Sequence, residues 1–214
     1  MSMTVIKICG LRTVEHALVA AEAGADLIGL VFAPSRRQID IVQAVAIREA
    51  LERINNRPQV VGLFVNSPPL AICDIVDRCG LDIIQLSGDE PLDLLEHLPG
   101  RQILKAIRLN DGIGEAAWLA DGRHHQRVGF LVDAHVAGAY GGTGVTADWA
   151  RAAGLATHHQ IMLAGGLTPS NVGQAIQQVR PWGVDVSSGV ETENVKDSVK
   201  ICAFIAAVRA IGMS

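Results

Sequence analysis

Two residues in this chain are of the types that, held opposite one another, could move protons: Cys9, which closes the apolar run "VIKIC", and Asp133, which closes "GFLVD". A thiol, titrating ordinarily near ~8.5, becomes a base when its surroundings favour the anion, and a carboxyl kept protonated becomes an acid. Each also has a plain structural reading. Free cysteine behaves as a small buried hydrophobe, and a carboxylate can accept from backbone N–H groups of the loop that follows it, here "AHVAGAYGGTG". Cys73, Cys79 and Cys202 fall on amphipathic segments and keep the packing reading.

What would position such a pair is written in the periodicity. Short runs rich in Val, Ile and Leu fall at Val5–Cys9, Leu27–Phe32, Val60–Phe64, Ile83–Gln85, Ile103–Ala106, Gly129–Asp133, Ile161–Ala164 and Val184–Val186. Between and after them lie amphipathic segments at Val14–Ala23, Val42–Arg53, Leu70–Cys79, Leu92–Leu98, Gly114–Ala120, Ala147–Ala152, Asn171–Gln178 and Val199–Ala210. Continuous apolar runs, as opposed to alternating ones, are strands buried on both faces, as in a parallel sheet covered by helices. Eight strand–helix repeats predict a closed (β/α)8 TIM barrel. An open doubly wound sheet is the alternative, but it usually carries a glycine-rich loop after its first strand, and "CGLRT" has a single glycine. With no linker, low-complexity tract or shift in composition, residues 1–214 are expected to form one domain.

In such a barrel the ends of the first and sixth strands lie well apart on the ring, so Cys9 and Asp133 can face each other across its mouth. "LAGGLTPSNV" follows the seventh strand and "VDVSSGVE" closes the eighth. Small residues let backbone N–H groups approach an anion, and loops after strands seven and eight often form a phosphate site. Singly these loops say little: Gly165-Gly166 also suits a tight helix entry, and Thr168-Pro169 also reads as a helix cap followed by a first-turn proline. Their pairing on neighbouring strands is what points to phosphate.

Composition narrows the partners. A net charge of −4, with 18 Lys and Arg dispersed along the chain, gives no basic field, so no nucleic-acid partner is expected. "MSMTVIKICG" lacks the pattern of a secretion signal, and no apolar stretch is long enough to cross a bilayer, so a cytoplasmic protein without membrane association is expected. The four cysteines show no metal-ligand spacing. His124-His125 and His158-His159 sit in polar stretches and read as solvated loops, so no metal is expected.

Taken together, "KICGLRTVEHALVAAEAGADLIGLVFAPSRRQI", "VGLFVN", "IIQLSGDEP", "LVDAHVAGAYGGTGVTADW", "LAGGLTPSNV" and "RPWGVDVSSGVE" resemble the phosphoribosylanthranilate isomerase family of tryptophan biosynthesis, over almost the whole chain. The resemblance implies an Amadori rearrangement of N-(5-phosphoribosyl)anthranilate to 1-(2-carboxyphenylamino)-1-deoxyribulose 5-phosphate. It makes Cys9 the general base and Asp133 the general acid, and it assigns phosphate to Gly165, Gly166, Ser187, Ser188 and Gly189. The carboxylate of the anthranilate falls to Arg37 in "SRRQI", whose planar guanidinium suits a two-bond grip, with adjacent Arg36 as the alternative. Asp185 on the eighth strand is implied to orient substrate hydroxyls or assist proton movement.

For this chemistry Asp133 must hold a proton, which burial or a negative neighbour could arrange, and the site must favour the Cys9 thiolate. Acid, base and anchor complete the reaction without a cofactor. A phosphoribosyl small molecule is then the expected partner, and the family implies a monomer. The chain departs from the family pattern at Ser87, where a histidine is usual, and at Val145 and Ala147, where a lysine and an aromatic are usual. Asp148 is expected to cap the helix that follows. Two related readings fit less well: indole-glycerol phosphate synthase-like barrels carry an extra segment before strand one, and the histidine-pathway isomerase has aspartate where Cys9 stands. A non-catalytic phosphosugar-binding barrel is the reading from another class.

Overall fold

The computed structural model of this chain describes residues 3–109, 113–122, 126–133 and 148–211. Eight parallel strands close on themselves: β1 (Val5–Cys9), β2 (Leu27–Val31), β3 (Gln59–Phe64), β4 (Ile83–Leu86), β5 (Gln102–Ile107), β6 (Val128–Asp133), β7 (Ile161–Ala164) and β8 (Gly183–Val186). The last pairs with the first in register Lys7↔Asp185 and Ile8↔Val186, so the ring has no free edge. The barrel expectation holds.

Alternation along each strand separates two cores. Ile6 and Ile8 of β1 pack outward into the large cluster shared with the helices, whereas Cys9 belongs to an inner group with Val31 and Ala33. Beneath that group the barrel interior is filled by Leu27, Val61, Ile83, Leu104, Leu131 and Met162. It is a packed core, as the fold requires.

The helices are α1 (Val14–Glu22), α2 (Ile41–Leu51), α3 (Pro69–Cys79), α4 (Ile113–Ala120), α5 (Trp149–Ala156), α6 (Val172–Val179) and α7 (Ser198–Ile211). Their starts are set locally: Thr13 accepts from His16 N–H, and Asp40 and Gln43 form a reciprocal capping box. Asp148 caps α5 by accepting from Arg151 N–H, as expected. None of the described helices is long and apolar enough to cross a membrane.

Several sequence expectations are corrected. The fourth helical segment is a 3-10 helix, Leu92–His97, because Pro91 and Pro99 leave too little chain between them for a regular α-helix. Pro169 does not open the helix after β7: Asn171 precedes α6, accepting from Thr168 N–H and donating to Gly166 O. Cys79 is buried and half-buried Cys73 packs against the core, but Cys202 is exposed on α7, so the packing reading fails for Cys202. His158 is exposed, while His159 lies edge-on to Phe130; His124 and His125 fall outside the described residues.

Candidate active site

At the carboxyl ends of the strands lies a cavity of about 510 Å³. It is lined by Cys9, Arg37, Asp133, Gly165, Gly166, Asp185, Ser187, Ser188 and Gly189. Arg36 is not among the lining residues; it stands over a neighbouring depression with Arg12 and His16. Residues 145 and 147 fall outside the described residues.

The two glycine-rich loops fit one another closely. Gly165 and Gly166 follow β7 with φ of 91° and 66°, a backbone shape that side chains disfavour. Gly189 lies in the single 3-10 turn Ser188–Val190 after β8, and a Cβ there would stand 1.8 Å from Leu167 O. Only glycine lets the β8 loop press against the β7 loop. Ser187 donates from its hydroxyl to Cys9 O at 3.2 Å, tying the same loop to the end of β1.

A second device holds Arg37. Two short antiparallel strands, β9 (Glu191–Thr192) and β10 (Val195–Lys196), follow the β8 loop. Glu193 and Asn194 have φ of 50° and 66°, so they turn the chain as a two-residue hairpin with left-handed backbone at both positions. The pairing sets Lys196 against Glu191. Glu191 accepts from Arg37 Nε at 2.6 Å and Nη2 at 2.8 Å, from Arg36 Nη2 at 3.0 Å and from Lys196 Nζ at 2.7 Å. Burial pushes the Glu191 carboxyl up, but Arg37 and Lys196 outweigh it and bring it down to about 2. Lys196 also donates to Ser187 O at 2.8 Å, so the arginine anchor and the β8 loop share one support.

The thiol end differs from expectation. Cys9 is buried, and that burial raises its pKa above the ordinary 9.0, although Lys7 pulls it down. Burial thus favours the thiol over the thiolate. Asp133 is exposed at the end of β6, not buried. Asp185 is buried and accepts from Lys7 Nζ at 2.8 Å.

Sequence reasoning passed over Lys7, Glu191, Lys196 and Gln85. Gln85 is 3% exposed and lines the cavity; its Nε2 donates to Ser87 Oγ at 3.0 Å, and its Oε1 has no protein partner. A buried acceptor left open beside a cavity suits a ligand donor. Ser87, at the position of the usual family histidine, thus orients Gln85. The rest of "SGDE" is structural: Glu90 accepts from Asn66 and Gly88 N–H groups and pairs with buried Lys105 at 2.8 Å.

A closed (β/α)8 barrel whose cavity combines a thiol, two carboxylates, a held guanidinium and interlocked glycine–serine loops has the make-up of an enzyme acting on a small anionic substrate. The family described as N-(5'phosphoribosyl)anthranilate (PRA) isomerase matches residues 6–207. The N-(5'-phosphoribosyl)anthranilate isomerase of Roseiflexus sp. (strain RS-1) is 54% identical over 209 residues, covering 96% of this chain and 97% of the relative. That of Moorella thermoacetica is 46% identical, covering 97% and 90%. The crystal structure of phosphoribosyl anthranilate isomerase from Thermotoga maritima superposes with a TM-score of 0.83 at 34% identity, covering 97% of this chain and all of the other. A further solved isomerase, in complex with reduced 1-(o-carboxyphenylamino)-1-deoxyribulose 5-phosphate, gives a TM-score of 0.81 at 32% identity over 97% of this chain.

The chain therefore belongs to the phosphoribosylanthranilate isomerase family, the isomerases of tryptophan biosynthesis. Membership in a family of enzymes sets aside the reading of a non-catalytic phosphosugar-binding barrel.

Proposed function

We propose that this enzyme carries out the Amadori rearrangement of N-(5-phosphoribosyl)anthranilate with Asp133 as general acid and Cys9 as general base. The observation that carries the assignment is that both side chains, from opposite parts of the ring, line one cavity together with Arg37 and the two glycine–serine loops.

The substrate has an anion at each end, and the cavity offers a different receptor for each. Backbone N–H groups around Gly165, Gly166, Ser188 and Gly189, with the Ser187 hydroxyl beside them, suit the phosphate. Arg37 suits the anthranilate carboxylate, since Glu191 holds it from behind. Anchoring both ends fixes the ribose between acid and base, which converts encounter into a unimolecular reaction.

Asp133 gives its proton to the furanose ring oxygen as the C1′–O bond breaks, leaving a protonated imine between C1′ and the anthranilate nitrogen. The Cys9 thiolate then takes the C2′ proton. The C2′–H electron pair forms a C1′–C2′ double bond while the imine π pair returns to nitrogen, giving an enolamine. Protonation at C1′ and loss of the enol proton complete the ketone. Asp185, at the cavity wall, suits a sugar hydroxyl or the cationic imine. A carbanion-forming step next to a thiol raised by burial requires the base to ionise when the substrate cation appears.

Substrate carrying deuterium at C2′ tests the base step. In single turnover the reaction is expected to slow several-fold relative to the protiated compound, and no slowing in that regime would remove proton abstraction at C2′ from the limiting step.

A further inference from the structure

None of the roles above uses Lys7, yet it is a lysine with no exposed surface, placed in the middle of an apolar strand. Alternation along β1 puts Val5, Lys7 and Cys9 on the interior side, so the ammonium stands one layer beneath the thiol. Its Nζ donates to Asp185 Oδ1 at 2.8 Å across the β1–β8 seam. On the other side, Gly29 of β2 pairs with Cys9. A Cβ on Gly29 would come within 3.0 Å of Lys7 Nζ and also within 3.0 Å of Cys9 Sγ, so the ammonium and the sulfur flank one small gap and are at most twice 3.0 Å apart.

Stability does not account for this lysine. The same interior is otherwise filled by Leu27, Val61, Ile83, Leu104, Leu131 and Met162, and replacing a buried ion pair by well-packed apolar residues is often neutral or stabilising. What the pair does provide is a cation, pinned by a carboxylate, directed at a buried sulfur.

Resting on the reading of Cys9 as base, we propose that Lys7 is the positioning residue that lets Cys9 act as one: its ammonium, anchored by Asp185 and given room by Gly29, faces the sulfur and supports the thiolate. The ammonium keeps its protons throughout. The thiol proton leaves to solvent, and the thiolate then takes the C2′ proton and returns to the thiol.

The charges around Cys9 pull in two directions. Burial raises the thiol pKa most, Lys7 on β1 and Lys196 on β10 lower it, and Asp185 on β8 raises it with burial. Arg37, Arg108 and Asp133 complete the charged lining of the cavity. Reciprocally, burial pulls the Lys7 ammonium down, but Asp185 and Cys9 more than restore it, leaving it raised.

The test is a direct titration of Cys9, read as thiolate absorbance near ~240 nm and taken as the difference from the same protein carrying Cys9→Ala. It is made in the wild type, in Lys7→Met and in Lys7→Met/Asp185→Asn, because the double variant leaves no unpaired buried carboxylate to disturb folding. The double variant is expected to titrate at least about one pH unit higher, a tenfold loss of thiolate at fixed pH. Lys7→Met alone is expected to lower kcat about tenfold or more near neutrality, recovering as pH rises, with KM within about twofold.

A thiol titration that stays at the wild-type position in both Lys7→Met and Lys7→Met/Asp185→Asn would overturn the proposal, whatever happens to kcat. If the titration moves as expected while Cys9→Ala retains full turnover, the base reading is overturned and the coupling between lysine and thiol stands.

Discussion

Glu191→Gln is the substitution that most sharply tests how the carboxylate anchor is built. The replacement keeps the size of the side chain and removes its charge, while leaving Arg37, Arg36 and Lys196 gathered on the same spot. An amide can accept through one oxygen only, so at least one of the bonds at 2.6, 2.7, 2.8 and 3.0 Å must give way to an opposed donor. In the native protein the carboxyl falls from its ordinary 4.5 to about 2. At roughly 1.4 kcal/mol per pH unit this is about 3.5 kcal/mol, and solvent screening at partly exposed Arg37 reduces it to about 2 kcal/mol.

The expected loss is therefore about 2 kcal/mol, a fall of about 4–8 °C in Tm for a chain of this size. The pH window follows from the sign of the shift. A depressed carboxyl stabilises the fold above its unfolded value, so this contribution is complete above about 4.5 and is lost as pH falls toward 2. The variant should show a shallower loss of stability across that window. Because Arg37 is no longer fixed before substrate arrives, KM should rise about tenfold with kcat changed by less than about threefold. Thermal unfolding and steady-state kinetics read both effects. A variant with unchanged Tm and unchanged KM would refute the view that Glu191 organises the anchor.

Gly189→Ala forces a Cβ to 1.8 Å from Leu167 O, so the β7 and β8 loops must separate, and inorganic phosphate should lose its competition with substrate at concentrations that inhibit the wild type. Gln85→Met leaves the volume and removes the open acceptor; about 1 kcal/mol of binding, a KM rise of roughly fivefold, is expected with Tm nearly unchanged. Since burial raises the Cys9 thiol above its ordinary 9.0, kcat/KM should climb from about pH 6 to about pH 8, by as much as tenfold per unit, before an alkaline limb sets in. A flat profile over that range in pre-steady-state rates would separate Cys9 from proton transfer.

All eight strands were legible in the sequence because a parallel barrel buries both faces of each strand, and continuous Val/Ile/Leu runs advertise this. β1 and β7 match the expected bounds, β2 ends one residue early at Val31, and the others are longer by a residue at one or both ends: Gln59 and Gln102 add exposed ends to β3 and β5 that hydrophobicity cannot mark. The segment after β4 was misread because Leu92, Leu94 and Leu95 have the spacing of a helix face, while the flanking prolines decide its length. That Cys9 and Asp133 close their strands at the mouth of the barrel was legible from position, whereas the roles proposed for them come from the family resemblance.

The supports were not. Lys7 reads as an interruption of an apolar run, although its spacing of two from Cys9 was a signal that both point the same way. Glu191 and Lys196 meet only through a two-residue turn at Glu193-Asn194, and nothing in composition foretells a left-handed glutamate. Gln85 sits inside an apolar strand in the same manner as Lys7, and a polar residue with interior parity is the pattern that would have found both.

Turnover of freshly prepared phosphoribosylanthranilate, followed by loss of its fluorescence, tests the account's central claim most directly when wild type, Cys9→Ala and Asp133→Asn are compared side by side. The account predicts an active wild type and a collapse of kcat in both variants, with product-analogue binding kept in each. Near wild-type turnover in either variant would contradict the acid–base assignment.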